Sequence, residues 1–555
     1  MAVDLVFTGG TVFDGRPASK TRRRASAVAV DAGRIVAVGD SDAVLELGGA
    51  HTEVVDLAGG LLVPGFQDAH VHPVQGGLER LSCDLSPLDD AGNYLAAIAS
   101  YAAAHPDLVW ITGGGWMLTG FPGGLPRRDE LDTIVADRPV CLPNRDHHGA
   151  WVNTRALELA GITAATPDPV DGRIERDAAG QPTGMLHEGA MDLVGRLLPK
   201  PTPEQEMAAL LEAQRYLHSL GITAWQDAIL GNYSNITDAS STYLSCLRSG
   251  RLTAKVVGAL WWDRSRGAEQ IPELVERRER YGEDGFRPTS VKIMQDGVAE
   301  NFTAGMTAPY LDSCGHPTDN SGLSMVDPVE LCDYVTQLDA LSFQVHVHAI
   351  GDRAVREALD AFESARLANG SNGSNGSNDN RHHIAHIQVI HPQDVHRFAE
   401  LAVTANMQPL WATHEDQMDE LTIPFLGPER TQWQYPFAAL ARSDARLAAG
   451  SDWPVSSPNP LWGMHVAVNR QVPREAGDVR PAFLAEQALD VDAALLAYTA
   501  GSAYVNHLDD TGRIEVGAAA DLVVLDRDIL TGDPAQIASA QVQATYVNGS
   551  EVYRR

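Results

Sequence analysis

The chain has 555 residues, more than one hydrophobic core supports, so we expect a large domain with additions or roughly two to three units. Hydrophobic residues make up 44% and charged residues 21%, which excludes a disordered or fibrous protein. There are 73 acidic against 42 basic residues, and the resulting net charge of −31 disfavours binding to nucleic acid or to anionic membranes. The N-terminus lacks the pattern of a signal peptide, and no apolar run is long enough to span a membrane, so we expect a cytoplasmic protein.

The cysteines are scattered along the chain and odd in number, with no CxxC or CxxH spacing. This pattern predicts reduced thiols, and it disfavours a disulfide framework or a thiolate metal site. Any bound metal is therefore expected to have nitrogen and oxygen ligands. The five cysteines are Cys83, Cys141, Cys246, Cys314 and Cys332.

Both ends of the chain contain short runs that alternate apolar and polar residues between glycine- and aspartate-containing turns. They occur in residues 4–57, 521–526 and 543–549. Because the segments at each end are too short for a stable sheet, we expect them to pair with one another. The prediction is a small β-sandwich domain built from both termini, with parts 1–60 and 505–555.

Between the termini, eight short apolar runs are each followed by a helical stretch, a pattern typical of parallel strands joined by helices. Eight such units predict an α/β fold, a (β/α)₈ or TIM barrel over residues 61–504, with a long insertion at about 75–220 after the first strand. A further apolar run at 139–143 is taken as part of the insertion; an alternative register makes it the second strand. The eight runs are 61–67, 222–226, 254–260, 290–295, 343–348, 383–388, 403–408 and 446–451.

A low-complexity tract reads NGSNGSNGSN over residues 369–378. It has no side chains that can form a core, so we expect a flexible loop. The tract joins a helix to the sixth strand, which predicts a position on the N-terminal face of the barrel, opposite the chemistry.

Histidines and an aspartate mark the ends of several predicted strands. His70 and His72 are two residues apart, so in extended backbone both imidazoles point to the same side and can bind one metal ion. Such a pair alone is a weak signal. The weight comes from three more residues at the ends of the fifth, sixth and eighth strands, because barrel active sites form at this face. They are His348, His386 and Asp452.

Lys292 is an ionisable residue inside the apolar fourth strand. Burial would lower its pKa and leave a neutral amine that can take up CO₂ as a carbamate, which can bridge two metal ions. The alternative is an ordinary salt bridge to Asp296 or Glu300.

The order of motifs along nearly the whole chain resembles the amidohydrolase superfamily, and within it amidohydrolase family 3, which includes N-substituted formamide deformylase-like proteins. The motifs are DLVFTGGTVFDG, GLLVPGFQDAHVHP, GITAWQDA, VKIMQDGVAENFTAGMTAPY, VHVHAIGDRAV, HHIAHIQVI, GSDWPV and GRIEVGAAADLVVLDRD.

The resemblance implies a role for each candidate. His70 and His72 are implied as ligands of the more buried metal, and Lys292 as a carbamylated bridging ligand. His348 and His386 are implied as ligands of a second metal. Asp452 is implied as both a ligand and the proton acceptor. Zinc is the expected metal; because subtypes of the family differ in metal number, one zinc without a carbamate remains an alternative.

Residues 146–153 of the insertion resemble the D-G-H-x-x-W-V-N stretch of the group. His147 replaces the usual glycine, which leaves open which imidazole faces the pocket, and we favour His148 as a substrate contact. Trp453 follows Asp452 directly, and this placement predicts a second substrate contact. His346 shares the strand face of His348 one layer deeper, so we expect it in the barrel core or behind the ligands.

Together these residues predict hydrolysis of an amide, formamide or cyclic amide by metal-activated water, with Asp452 passing the proton from the water to the departing nitrogen. An esterase or lactonase with the same centre is the alternative, because the activated water does not dictate the electrophile. A non-catalytic scaffold would be expected to have lost ligands, and all six positions are filled. The expected partner is a small-molecule substrate. The sequence also allows a homo-oligomer.

Overall fold

A computed structural model of the chain describes residues 2–16, 25–233, 237–370, 380–473 and 480–555. Its largest sheet has eight parallel strands that pair in chain order, as predicted for the barrel. Between the last strand and the first, the Asp452 amide donates to the His70 carbonyl over 2.8 Å, which helps to close the ring. The strands are Phe66–Val71, Ile222–Leu230, Lys255–Trp261, Phe286–Met294, Gln344–Ala349, His383–His386, Thr404–Met407 and Leu447–Ala449.

The first barrel strand differs from the predicted run at 61–67. Leu61–Pro64 pairs with Leu522–Leu525 in another sheet, and the barrel strand begins only after Gly65. The chain changes sheets at this position, where only glycine fits, because a Cβ on Gly65 would lie 2.3 Å from the Thr223 hydroxyl. His70 therefore lies within the strand and not after it.

Helices follow the barrel strands and pack around them. Pro203–Ser219, which precedes the second strand, begins at a capping box in which Thr202 and Gln205 exchange hydrogen bonds. The α-helices are Ser41–Leu45, Pro73–Arg80, Ala91–Ala104, Arg128–Asp132, Thr154–Ala160, Asp192–Gly195, Pro203–Ser219, Ser240–Arg248, Ile271–Tyr281, Pro328–Ala340, Asp352–Asn369, Arg397–Glu400, Ile423–Thr431, Phe437–Arg442, Pro460–Asn469, Val491–Leu496 and Ser502–Val505.

The insertion after the first barrel strand forms a six-stranded mixed sheet with its own core around Trp116 and Trp151. The run at 139–143 lies in this sheet, so the register that makes it the second barrel strand is wrong. The strands, in sheet order, are Gly172–Arg176, Pro182–Glu188, Gly149–Val152, Val140–Pro143, Ile111–Gly114 and Cys83–Asp84.

Strands from both termini form a β-sandwich of a four-stranded and a five-stranded sheet, as predicted. Phe7 and Tyr546 meet in its core with ring centroids 5.1 Å apart. The domain limits 1–60, 61–504 and 505–555 remain a proposal, and the pairing of Leu61–Pro64 favours a first limit at Gly65. The strands are Arg34–Gly39, Ala27–Asp31, Leu5–Thr8 and Glu53–Asp56 in one sheet, and Thr11–Val12, Leu61–Pro64, Leu522–Leu525, Val542–Val547 and Ser550–Arg554 in the other.

The predicted loop at 369–378 lies almost entirely outside the described residues, which stop at 370 and resume at 380. None of the helices in the described ranges is both long and apolar enough to cross a membrane.

Candidate metal centre

Four of the predicted residues converge at the C-terminal end of the barrel. His70 lies in the first strand, and His72 directly precedes the helix Pro73–Arg80. His386 ends the sixth strand with φ 78°, and Asp452 follows the eighth with φ 56°. Non-glycine residues adopt such conformations at an energetic cost, so the surrounding structure must hold these two side chains in place.

The side chains of these residues meet around the Asp452 carboxylate. Its Oδ1 lies 2.9 Å from His72 Nε2 and 3.1 Å from His70 Nε2, and its Oδ2 lies 3.9 Å from His386 Nδ1. The candidate ligand atoms of His70, His386 and Asp452 all lie within 4.8 Å of one another. Nδ1 of His386 is buried and has no hydrogen-bond partner. The arrangement has the spacing of a metal-binding cluster.

A chain of hydrogen bonds behind His70 determines which of its nitrogens carries the proton. Gln226 donates its amide N–H to Gln344 over 2.9 Å, so the Gln226 oxygen accepts from His346 Nδ1 at 2.8 Å. His346 Nε2 then accepts from His70 Nδ1 at 2.8 Å. Nε2 of His70 is left with a lone pair that faces Oδ1 of Asp452. Two acceptors at 3.1 Å repel each other unless a cation lies between them.

The charges of the cluster also suit a divalent cation. Burial, with help from the nearby charge of Lys292, lowers the pKa of His70 to about 3. Burial likewise holds the pKa values of His348 and His386 well below their usual range. Burial would raise the pKa of Asp452, but the other imidazoles that surround its carboxylate, His72 and His386, help to hold it well below its usual range. Neutral imidazoles and an ionised carboxylate are the ligand forms that zinc prefers.

Lys292 is buried in the fourth strand with 3% of its surface exposed. Burial lowers its pKa to about 7, although the charge of Asp452 acts in the opposite direction. The alternative salt bridge does not form: both carboxylates, which are among the described residues, have other partners. Asp296 accepts from the backbone amides of Gly305, Ile350 and Gly351, and Glu300 accepts from Thr422.

His348 lies beside the cluster but points its Nε2 elsewhere. Its ring centroid is 4.3 Å from that of His386. Nε2 lies 3.2 Å from the Gly297 carbonyl oxygen and 3.5 Å from Oδ1 of Asp296. The structure therefore places His348 next to the four converging residues without bringing its Nε2 to Asp452.

A turn of the insertion carries His147 and His148 to the barrel mouth, and the two imidazoles diverge. The ring centroid of His148 is 6.1 Å from that of His348, and its Nδ1 is 2.9 Å from Oε2 of Glu188. Burial alone would lower the pKa of His148, but the Glu188 carboxylate raises it to about 9. His147 instead turns to Glu79, 3.3 Å away. The histidine favoured from the sequence is thus the one beside the cluster.

Trp453 lies in a different environment from the one predicted. Its indole packs against Gly76, where an added Cβ would lie 2.6 Å from the ring, and against Tyr216 with ring centroids 5.5 Å apart. It is 6% exposed. This position favours a core residue over a substrate contact.

Sequence reasoning did not find two residues that organise the site. Gln226 lies inside an apolar strand, the same signal that drew attention to Lys292, and could have been found that way. Glu188 has no such signal, because its partner His148 lies in a turn of the insertion 40 residues earlier in the chain.

Comparison with known proteins agrees with this fold. A model described as "Amidohydrolase family" matches residues 53–553. The putative amidohydrolase YtcJ of Bacillus subtilis is 30% identical over 96% of each chain. The N-substituted formamide deformylase of Arthrobacter pascens is 26% identical over 96% of this chain and 95% of its own.

Among solved structures, an uncharacterized metal-dependent hydrolase from Pyrococcus horikoshii OT3 matches with a TM-score of 0.72 and 26% identity, covering 96% of this chain and 99% of its own. The family match spans most of the chain, and the three similar proteins described above carry amidohydrolase, deformylase or hydrolase names. This chain therefore belongs to the amidohydrolase family and is a hydrolase.

Proposed function

We propose that this protein hydrolyses carbon–nitrogen bonds in small amides, formamides or cyclic amides, using a divalent metal, preferably zinc, bound by His70, His72, His386 and Asp452. The observation that carries the proposal is the contact between His70 Nε2 and Asp452 Oδ1 at 3.1 Å, where two acceptors face each other. A second ion, with His348 and a Lys292 carbamate among its ligands, belongs to the same proposal. The ring of His348 beside His386 and the burial of Lys292 support it.

A divalent metal in this cluster would supply Lewis acidity, which lowers the pKa of water and polarises a carbonyl. Asp452 supplies the proton transfer. Because it is held in the ionised form, it can accept a proton from the attacking water and return it to the departing nitrogen. Oδ2 suits this role, since both close imidazole contacts are made to Oδ1. His148 is proposed to contact the substrate.

The class of bond is supported by similarity. The Arthrobacter relative is named for the deformylation of N-substituted formamides, and YtcJ is named a putative amidohydrolase. The name of the family, amidohydrolase, likewise refers to the hydrolysis of amide bonds.

Two measurements test the proposal. Metal content is determined by mass spectrometry before and after dialysis against a chelator, and hydrolysis is followed on 4-nitroformanilide, 4-nitroacetanilide, 4-nitrophenyl acetate and γ-butyrolactone. We expect bound metal and release of 4-nitroaniline, with activity lost on chelation and restored by zinc. Cleavage of only the ester or lactone would replace the proposed bond class, and full activity in metal-free protein would exclude the metal.

We also propose a cytoplasmic location and a small-molecule substrate. Light scattering would test whether the protein forms a homo-oligomer. The unpaired state of all five cysteines fits a reducing compartment, and the net charge of −31 disfavours nucleic acid as a partner.

A further inference from the structure

Glu188 and His148 form a buried pair outside the predicted ligand set. Glu188 ends the insertion strand Pro182–Glu188 with φ 50°, a conformation that a residue with a side chain rarely adopts. Its carboxylate is held at both oxygens: Oε2 accepts from His148 Nδ1 at 2.9 Å, and Oε1 accepts from Thr303 Oγ1 at 2.8 Å. The pair therefore has one fixed geometry.

The loop after the fourth barrel strand holds this pair at the mouth of the barrel. Gly297 leaves the space that the carboxylate occupies, because an added Cβ would lie 2.8 Å from Glu188 Oε1. Asn301 donates its side-chain amide to the His148 carbonyl at 3.1 Å, and the Glu188 amide donates to the same carbonyl at 3.0 Å. The pair thus joins the insertion to the barrel next to the metal cluster.

The charge of Glu188 has His148 as its counterion. Glu188 is 8% exposed, and within the described ranges no lysine or arginine lies within ion-pair distance of it. A buried carboxylate without a counterion is strongly unfavourable, so the pair is most stable as carboxylate and imidazolium. With Nδ1–H donated to Glu188, Nε2–H of His148 remains available for another acceptor.

We propose that Glu188 is a positioning residue that orients His148 so that its Nε2–H donates a hydrogen bond to the reacting carbonyl oxygen of the substrate. The inference rests on the proposed function, because the carbonyl must lie at the metal cluster. It makes His148 a catalytic residue that stabilises the negative charge developing on that oxygen.

A double-mutant cycle with 4-nitroformanilide tests whether Glu188 acts through His148. Removing a hydrogen-bond donor to a developing oxyanion lowers kcat by about 10²-fold, and we expect this of His148→Phe, which keeps a ring but has no N–H, with KM changed little. Glu188→Gln keeps the size of the side chain but not its charge, and should lower kcat by about 10-fold or more, as supporting hydrogen-bond partners do. In the His148→Phe background, Glu188→Gln should have almost no further effect.

His147→Phe is the matched control, since this neighbouring histidine pairs with Glu79 and should tolerate the change. If Glu188→Gln does not fold, Thr303→Val removes the donor to Glu188 Oε1 and should lower kcat in the same direction by a smaller factor.

The pair also has a readout independent of activity. With ¹⁵N-labelled histidine, the Nδ1–H of His148 bonded to a carboxylate should give a low-field proton signal. The signal should be lost in Glu188→Gln and in His148→Phe, and kept in His147→Phe.

Full kcat in Glu188→Gln, an equal loss in both backgrounds of the cycle, or survival of the low-field signal without Glu188 would each overturn the inference. Failure of the proposed function is distinguishable, because it would appear in the wild type as absent metal or absent cleavage of carbon–nitrogen bonds.

Discussion

Asp452 is the residue on which the geometry of the site depends. Its carboxylate contacts His70 and His72 at one oxygen and approaches His386 at the other. The left-handed backbone at Asp452 and the hydrogen bond from its amide to the His70 carbonyl aim the side chain inward. Asp452 therefore has two proposed roles, metal ligand and proton acceptor, which substitutions can test separately.

Asp452→Asn keeps the shape of the side chain and weak ligation but removes the proton acceptor. We expect kcat for 4-nitroformanilide to fall by about 10²-fold or more, with metal content retained. Steady-state kinetics and mass spectrometry of the metal check this result. Near-normal turnover with the metal still bound would assign the base to another residue.

Substitutions of Lys292 test whether this residue is carbamylated. Lys292→Ala should lose metal and activity together, and a short carboxylic acid added to the buffer should partly restore both. Lys292→Arg should fail as well, because a guanidinium cannot be deprotonated in a protein and so cannot take up CO₂. Full activity and metal content in Lys292→Arg would contradict the carbamate and favour a mononuclear site.

The barrel strands place polar side chains in the barrel interior, where residues from different strands form hydrogen bonds with one another. Gln226 on the second strand supports His346 on the fifth, which in turn supports His70 on the first. All three are buried. Barrel interiors are usually apolar, so burying this connected set of polar groups costs stability. We infer that the set is present because it orients the metal ligand His70.

Gln226→Leu should weaken metal binding by about 10- to 100-fold, the usual effect of losing the partner behind a histidine ligand. Titration against a chelator of known affinity measures it. The control is Thr404→Val on the seventh strand: this hydroxyl is buried without a partner, so metal affinity should stay unchanged. If both variants bind the metal with equal affinity, the hydrogen-bond chain does not contribute to metal binding.

Asp227 gives the second strand a pH-dependent contribution to stability. Burial raises its pKa to about 6, although Tyr243 donates to it at 2.7 Å. Because the folded pKa lies above the unfolded value, ionisation destabilises the fold as pH rises from about 4 through 6. Asp227→Asn should therefore gain stability relative to wild type over that window, by about 2–3 kcal/mol. A difference in melting temperature that does not change between pH 4 and 7 would contradict this.

At the scale of the whole molecule, the two chain ends are joined in one sandwich beside the barrel. Leu61–Pro64 pairs with Leu522–Leu525, and the next residue of the first segment leads into the first barrel strand. Folding of the terminal sheets is therefore connected to the strand that carries His70.

Tyr546→Ala should destabilise the protein by about 3–5 kcal/mol, as expected for removing a large buried aromatic ring. Tyr546 is 2% exposed and packs on Phe7 from the opposite terminus. Urea denaturation followed by circular dichroism measures the change. Tyr546→Phe keeps the ring and should cost far less; similar midpoints for the alanine variant and the wild type would show that the termini do not stabilise each other.

Sequence alone was sufficient for the barrel, the insertion and the joined termini, because periodicity and segment length report which residues face a core. It was also sufficient to bring His70, His72, His386 and Asp452 to one face. The C-terminal ends of parallel barrel strands must meet there, however the side chains are arranged.

Only the tertiary structure decided the contacts between residues far apart in the chain. The pairing of Glu188 with His148, the hydrogen bonds from Gln226 to His346, the missing salt bridge of Lys292 and the core position of Trp453 all depend on which side chains different loops and strands bring together. The division of the predicted first strand at Gly65 has the same cause, since it depends on the pairing of Leu61–Pro64 with Leu522–Leu525 from the other end of the chain. Strand patterns determine which face a residue is on, whereas its partner is determined by packing in three dimensions.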